Sequence, residues 1–231
     1  MDYIIQGFFQ ALGFLFEGNE ELWSAVGTTL KVSSLSILAS LLLGVPLGFL
    51  LGYADFPGRK ICRTLVDTLL ALPTVVVGLL VYAFISRRGP LGELGLLFTL
   101  PGIALGQTLL ALPIVIALTA SAVEALDQRL SMTLLTLGAK KGQLARASLV
   151  ESRYAVLMAG ITAYGRIISE VGISMMIGGN IKWHTRTITT AIALETGKGQ
   201  FAEGIALGLV LLAIAFFVNG SLSLLRRRVQ V

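Results

Sequence analysis

The chain of 231 residues is 55% hydrophobic and only 13% charged, with a mean hydropathy of +0.84. Soluble domains average about 25% charged residues, so this composition excludes an ordinary soluble domain and implies a single polytopic membrane domain. The net charge of +5 does not point to nucleic acid, because the bases cluster in loops beside apolar stretches, where they orient a chain in a bilayer.

Residues 1–20 open with Met1-Asp2-Tyr3 and no basic residue ahead of the apolar part, so a cleaved signal peptide is not expected. The apolar run 3–16 is too short to span and suits an amphipathic helix lying in the interface. A transmembrane helix needs about 20 apolar residues, and five segments of the domain 21–225 qualify: 26–53, 64–86, 101–123, 154–177 and 203–225. The expected fold class is therefore an all-α polytopic membrane protein. It has five transmembrane helices, an N-terminal interfacial helix and a short helical segment between spans three and four. Arg226, Arg227 and Arg228, in the basic tail 226–231, place the C-terminus in the cytoplasm and the N-terminus outside. On that assignment eleven bases lie inside (Arg59, Lys60, Arg63, Arg129, Lys140, Lys141, Arg146, Arg153 and the terminal three) against five outside (Arg87, Arg88, Lys182, Arg186, Lys198).

The hexapeptide Thr68–Pro73 recurs as Thr108–Pro113. Each proline removes a backbone hydrogen bond and kinks its span, either for packing or to line a pathway. Between spans three and four, the polar segment 124–153 centres on Leu137-Gly138-Ala139-Lys140-Lys141-Gly142. Helix formers flank a glycine bend, with Leu134, Leu135, Leu137, Leu144 and Leu149 as an apolar face. That face either fills a groove on a soluble partner or lies on lipid headgroups.

Few charges enter the spans. Lys31 and Asp67 lie near span ends. Arg166 and Glu170 sit about midway along the fourth span, four residues apart on one face. They read as a structural ion pair, as a brace for a gate, or, through Arg166, as an anion contact. The outer loop 178–202 opens with Gly178, Gly179 and Asn180, followed by Lys182, His184 and Arg186. Its three readings are partner docking, oxyanion contact and plain connection, and Thr189–Glu195 is apolar enough for a re-entrant or interfacial helix. The single histidine and the single cysteine, Cys62, leave no material for a multi-histidine metal site, a histidine relay or an internal disulfide. No nucleotide-binding lysine loop is present, so ATP-driven transport would need ATP on another chain.

A short helical segment with a central Leu-Gly-Ala before the last helices resembles the coupling-helix region of type I ABC importer permeases. The usual loop of that family reads Glu-Ala-Ala, three residues, Gly, nine residues, Ile, one residue, Leu-Pro. Gly138 matches the glycine, while Met132-Thr133-Leu134, Ser148 and Val150-Glu151 depart from the rest. The stretches Leu72–Leu79, Ile168–Gly172, Gly178–Ile181 and Thr185–Thr196 are similar to the tungstate-type permease subunit, with molybdate and sulfate permeases sharing the general plan. The resemblance implies a homodimer in the prokaryotic inner membrane, two cytoplasmic ABC ATPase subunits that hold ATP and Mg, and an external binding protein that delivers an oxyanion. This chain would hold no cofactor itself and would touch lipid, not nucleic acid. Coupling residues are then Leu137, Gly138, Ala139, Lys140, Gln143 and Arg146. The gate and outer docking surface take Pro73, Glu170, Gly178, Gly179, Asn180 and Arg186. The competing readings are an ATP-independent channel, for which the segment 124–153 has no use, and a membrane-embedded enzyme, for which paired catalytic groups are lacking.

Overall fold

The computed structural model describes residues 20–229, together with residues 4–6, 8, 9 and 13. The proposed interfacial helix of residues 1–20 falls mostly outside them, as do the side chains of the basic tail. Every regular element among the described residues is helical. Among the described residues three helices are long and apolar enough to cross a membrane, and there are up to five crossings if each of two bent helix pairs counts as one.

Helix α1 (Glu20–Tyr53) has 34 residues, about 51 Å at the helical rise and well beyond the hydrocarbon thickness. It begins six residues before the apolar segment predicted at 26–53. Its partner is α4 (Leu100–Glu124), whose start is set by Thr99: the Thr99 hydroxyl accepts from the Gly102 N–H at 3.2 Å. The two helices touch along a stripe of small residues spaced by four: Ser36, Ser40, Gly44, Gly48 and Gly52. A Cβ on Gly48 would lie 2.7 Å from the Ile116 carbonyl oxygen, and one on Gly52 would lie 2.6 Å from that of Ala120. The backbones thus approach as closely as the chain permits, which is how membrane helices gain packing without a hydrophobic drive. Toward the other end the stripe becomes polar. The Ser36 hydroxyl lies 3.2 Å from both the Ala104 carbonyl and the Gln107 side-chain oxygen, and the Ser40 hydroxyl reaches the Thr108 carbonyl at 3.3 Å.

The segment predicted as a span at 64–86 is two helices, α2 (Arg59–Leu69) and α3 (Thr74–Ile85), bent by 100° across residues 70–73. Pro73 is the cause: it has no N–H to continue a helix, it disfavours helical geometry at Leu72, and it serves as the extended N-cap of α3. The sister proline, Pro113, lies buried within α4 and does not break it. The segment predicted at 154–177 is likewise two helices, α7 (Arg153–Ile168) and α8 (Gly172–Gly178), bent by 61°. Between these bent pairs lie α5 (Gln128–Thr136) and α6 (Lys141–Glu151). The region predicted as an outer loop, 178–202, contains α9 (Ile188–Gly197) and runs into α10 (Phe201–Val229). Ile103, Val115, Ala163, Ile167, Ile173 and Ile177 form the centre of the core, where α4 meets α7 and α8.

Candidate functional site

The α5–α6 elbow is built by its termini. Leu137 ends α5, and Gly138 follows in the left-handed region at φ +80°. The Gly138 N–H donates to the Leu135 carbonyl and the Ala139 N–H to the Leu134 carbonyl, both at 2.9 Å. These two bonds are the glycine-terminated helix stop, satisfying carbonyls that would otherwise be orphaned. Three residues into the next helix, the Gln143 side-chain oxygen accepts from the Lys140 N–H at 2.8 Å and fixes the start of α6. Leu137 is 77% exposed at the apex, with Met132 and Leu135 also open, whereas Leu144 is buried within the chain. Gly142 sits inside the first turn of α6, so the bend belongs to Gly138 alone. Lys140, Gln143 and Arg146 are exposed beside it.

Arg166 and Glu170 come together as their spacing predicts, but not midway along one helix. Arg166 is in the last turn of α7 and Glu170 lies in the break before α8. A guanidinium nitrogen of Arg166 donates to Glu170 Oε2 at 3.0 Å. The other carboxylate oxygen accepts from the N–H groups of Gly172 at 3.0 Å and Ile173 at 3.3 Å. The Glu170 carbonyl accepts from the Thr189 hydroxyl at 2.9 Å. Glu170 is 3% exposed. Its carboxylate starts α8 by satisfying donors that no preceding turn can reach, which is why the span breaks here. Ideal Cβ geometry at Gly172 falls 3.4 Å from Val75 and 3.7 Å from the Thr74 hydroxyl. The break at Pro73 therefore lies against the break at Glu170.

At the other end of α8, Gly178 is a buried helical residue against Ile103, and Gly179 ends the helix at φ +67°. Asn180 and Trp183 also take positive φ, so residues 179–187 form a tight structured loop. The buried Thr185 hydroxyl donates to the Gly178 carbonyl at 2.5 Å and accepts from the Ile181 N–H at 3.1 Å. Arg186 is 15% exposed; it donates to Asn180 Oδ1 at 3.2 Å and pairs with Glu21. Lys182 pairs with the same carboxylate at 2.6 Å. Arg186 and Lys182 thus spend their charge on Glu21 of this chain, which ties the loop to the start of α1. Thr187 then caps α9, and the Ile188 N–H donates to Thr29 of α1 at 3.0 Å.

Two features went unread in the sequence. Arg59 and Arg63 counted only as orienting charges, yet they clamp three elements. Arg59 donates to the Leu51 and Gly52 carbonyls at the end of α1, at 2.8 and 2.9 Å, and to Glu124 of α4 at 3.0 Å. Arg63 reaches the Ser121 hydroxyl at 2.7 Å and pairs with Asp67 at 3.3 Å. Bases at a helix C-terminus complement its exposed carbonyls, and the position of Arg59 six residues after Tyr53 was the available signal. The second feature is the spacing of small residues from Ser36 to Gly52, visible as a four-residue period. Among the described residues, no group of His, Cys, Asp or Glu side chains could hold a metal ion.

This architecture has close counterparts. It matches the inward-facing methionine ABC transporter MetNI with a TM-score of 0.75 over 93% of this chain and 98% of that one, at 18% identity. A bacterial alginate ABC transporter, solved with an alginate pentasaccharide-bound periplasmic protein, matches with a TM-score of 0.75 over 94% and 82% of the respective chains, at 20% identity. In sequence, the chain is 50% identical over 219 residues to the tungstate uptake system permease protein of Campylobacter jejuni, covering 95% of this chain and 92% of that protein. It is 30% identical over 188 residues to the molybdenum transport system permease protein of Escherichia coli K12, covering 77% and 82%. Residues 44–231 match the family described as the binding-protein-dependent transport system inner membrane component. The chain belongs to that family: it is a multi-pass inner-membrane permease of a binding-protein-dependent ABC importer and not itself the ATPase.

Proposed function

We propose that this permease imports tungstate. The observation that carries the reading is the 50% identity, over 95% of the chain, to a tungstate uptake permease. The more distant likeness to a molybdenum permease makes molybdate the rival substrate. The chain acts as a homodimer with two cytoplasmic ATPase subunits, its N-terminus outside and its C-terminus inside. The distribution of bases supports this orientation, because it puts the α5–α6 elbow and the Arg59–Arg63 clamp in the cytoplasm.

The elbow is the ATPase-coupling surface, through Leu137, Gly138, Ala139, Lys140, Gln143 and Arg146. Its support is the exposed leucine apex, held rigidly by a capped helix end on each side. A 77% exposed leucine on a soluble-facing loop is a cost that a partner's groove would remove. The binding protein docks on the opposite end, at the loop carrying Gly178, Gly179, Asn180 and Arg186. Pro73 and Glu170, at the two apposed helix breaks, form the gate. ATP binding draws the paired elbows together and swings the bent spans about these breaks, the alternating access that transport requires.

The test is co-expression with ABC ATPase and binding-protein partners, followed by ATP hydrolysis measured in nanodiscs. Tungstate-loaded binding protein should raise hydrolysis above the molybdate and sulfate controls in a complex with two copies of each chain. Stimulation by another ligand alone removes tungstate and leaves the importer reading. Failure of any ATPase to co-purify removes the elbow assignment.

A further inference from the structure

The faces of α7 divide its surroundings sharply. Ala159, Ala163 and Ile167 are buried in the core. Leu157, Ile161 and Tyr164 line an apolar groove of about 950 Å³ shared with α1 and α10. The third face carries Thr162, Arg166 and Ser169, spaced by four and three residues and all exposed. The Thr162 and Ser169 hydroxyls donate to carbonyls of their own helix, so it is the guanidinium of Arg166 that keeps this face from hydrocarbon. Intramembrane arginines face a bundle interior or a water-filled cavity.

The guanidinium is also incompletely used. Arginine has five N–H donors in a planar fork. Among the described residues Arg166 spends them only on Glu170, and its side chain is 43% exposed. Glu170 is the reverse case: buried, and saturated by Arg166, Gly172 and Ile173. The carboxylate therefore holds one side of the fork and, among the described residues, leaves the other side free beside the break at residues 169–171. Discontinuous helices of this kind mark the substrate sites of transporters, and planar bidentate recognition of an oxyanion is what a guanidinium does best.

We propose that Arg166 contacts the transported tetrahedral oxyanion on the wall of the translocation pathway, with Glu170 as its positioning residue; the assignment rests on the oxyanion-importer reading above. The partial neutralisation of Arg166 by Glu170 serves transit, because a pathway site must bind strongly enough to admit an ion and weakly enough to release it. Two copies of the chain would present two guanidinium groups to one dianion.

The experiment uses the complex with its ATPase in proteoliposomes, supplied with tungstate-loaded binding protein, and reads tungstate accumulated per ATP hydrolysed. In R166Q that ratio should fall at least about tenfold, the scale of one lost charge-assisted hydrogen bond, and R166K, which restores the cation but not the planar fork, should recover only part of it. An unchanged ratio in R166Q overturns the proposal. A second measurement does not depend on that variant assembling. In a C62S background, the thiol of T162C should react with a charged, membrane-impermeant thiosulfonate and be protected by tungstate. Reaction only with a lipid-soluble reagent, or no protection, overturns it. If the parent complex accumulates molybdate or sulfate but not tungstate, the substrate reading fails on its own, and both Arg166 measurements are made with the anion that is transported.

Discussion

Glu170 accepts three hydrogen bonds through two oxygens while 3% exposed. Glutamine at this position keeps one oxygen for the Gly172 and Ile173 N–H groups but turns an N–H₂ group toward the Arg166 donors. E170Q should therefore lower stability by about 2–3 kcal/mol, from the lost charge-assisted bond and the guanidinium left facing a donor. Thermal unfolding in detergent reads this directly, and an unshifted transition removes the bracing role. Gly138 behaves differently, because a Cβ there meets nothing within 4 Å and the only strain is its φ of +80°. That strain is worth about 1–2 kcal/mol, too little to prevent insertion. G138R should accordingly reach the membrane in normal amount and, on the coupling role proposed for the elbow, lose ATP-driven uptake by more than about tenfold, since the bulk falls on its apex. Normal uptake by inserted G138R would sink the coupling assignment.

Between elements, the contact of α1 with α4 decides which substitutions the fold tolerates. G48L places a side chain where the Ile116 carbonyl and the Thr119 Cβ already lie 2.7 Å from an ideal Cβ. The helices must separate, and overpacking of this kind costs about 1–3 kcal/mol or more. Expression and thermal stability should both fall. G27A on the same helix is the contrast, with no atom within 4 Å of its Cβ. The alanine should be neutral or raise stability by up to about 1 kcal/mol through helix propensity. Equal effects of the two variants would show that the α1–α4 approach is not tight.

At the scale of the whole molecule, hydropathy located the apolar segments, since a bilayer demands about 20 such residues wherever a helix crosses. It could not locate the breaks. Leu70, Ala71 and Leu72 are as apolar as their neighbours, and only the missing N–H of Pro73 makes the chain turn there, while Pro113 sits in α4 without breaking it. Glu170 was legible as a partner for Arg166 from spacing alone. Its second task, capping α8, was hidden because it depends on the break that it helps to create. The Gly138 bend was readable because a helix stop is a local event. The Glu21 contact with Arg186, across 165 residues, was beyond any local pattern. R59A removes donors to the ends of α1 and α4, and hydrogen exchange should show the last turn of α1, residues 50–53, opening at least about fivefold more readily.

The stripe from Ser36 to Gly52 has a mechanical consequence. Helices that meet backbone to backbone at Gly48 and Gly52, and through serine hydroxyls at Ser36 and Ser40, have little slack to slide or rock, since close-packed interiors deform little. Helices α1 and α4 therefore form a rigid beam, further riveted at one end by Arg59. On the coupling role proposed for the elbow, a stroke delivered there would be taken up outside the beam, at the bends of residues 70–73 and 169–171. On that same proposal the beam would be the stator of the machine, and the two bends that flank it would set the direction of its moving arms.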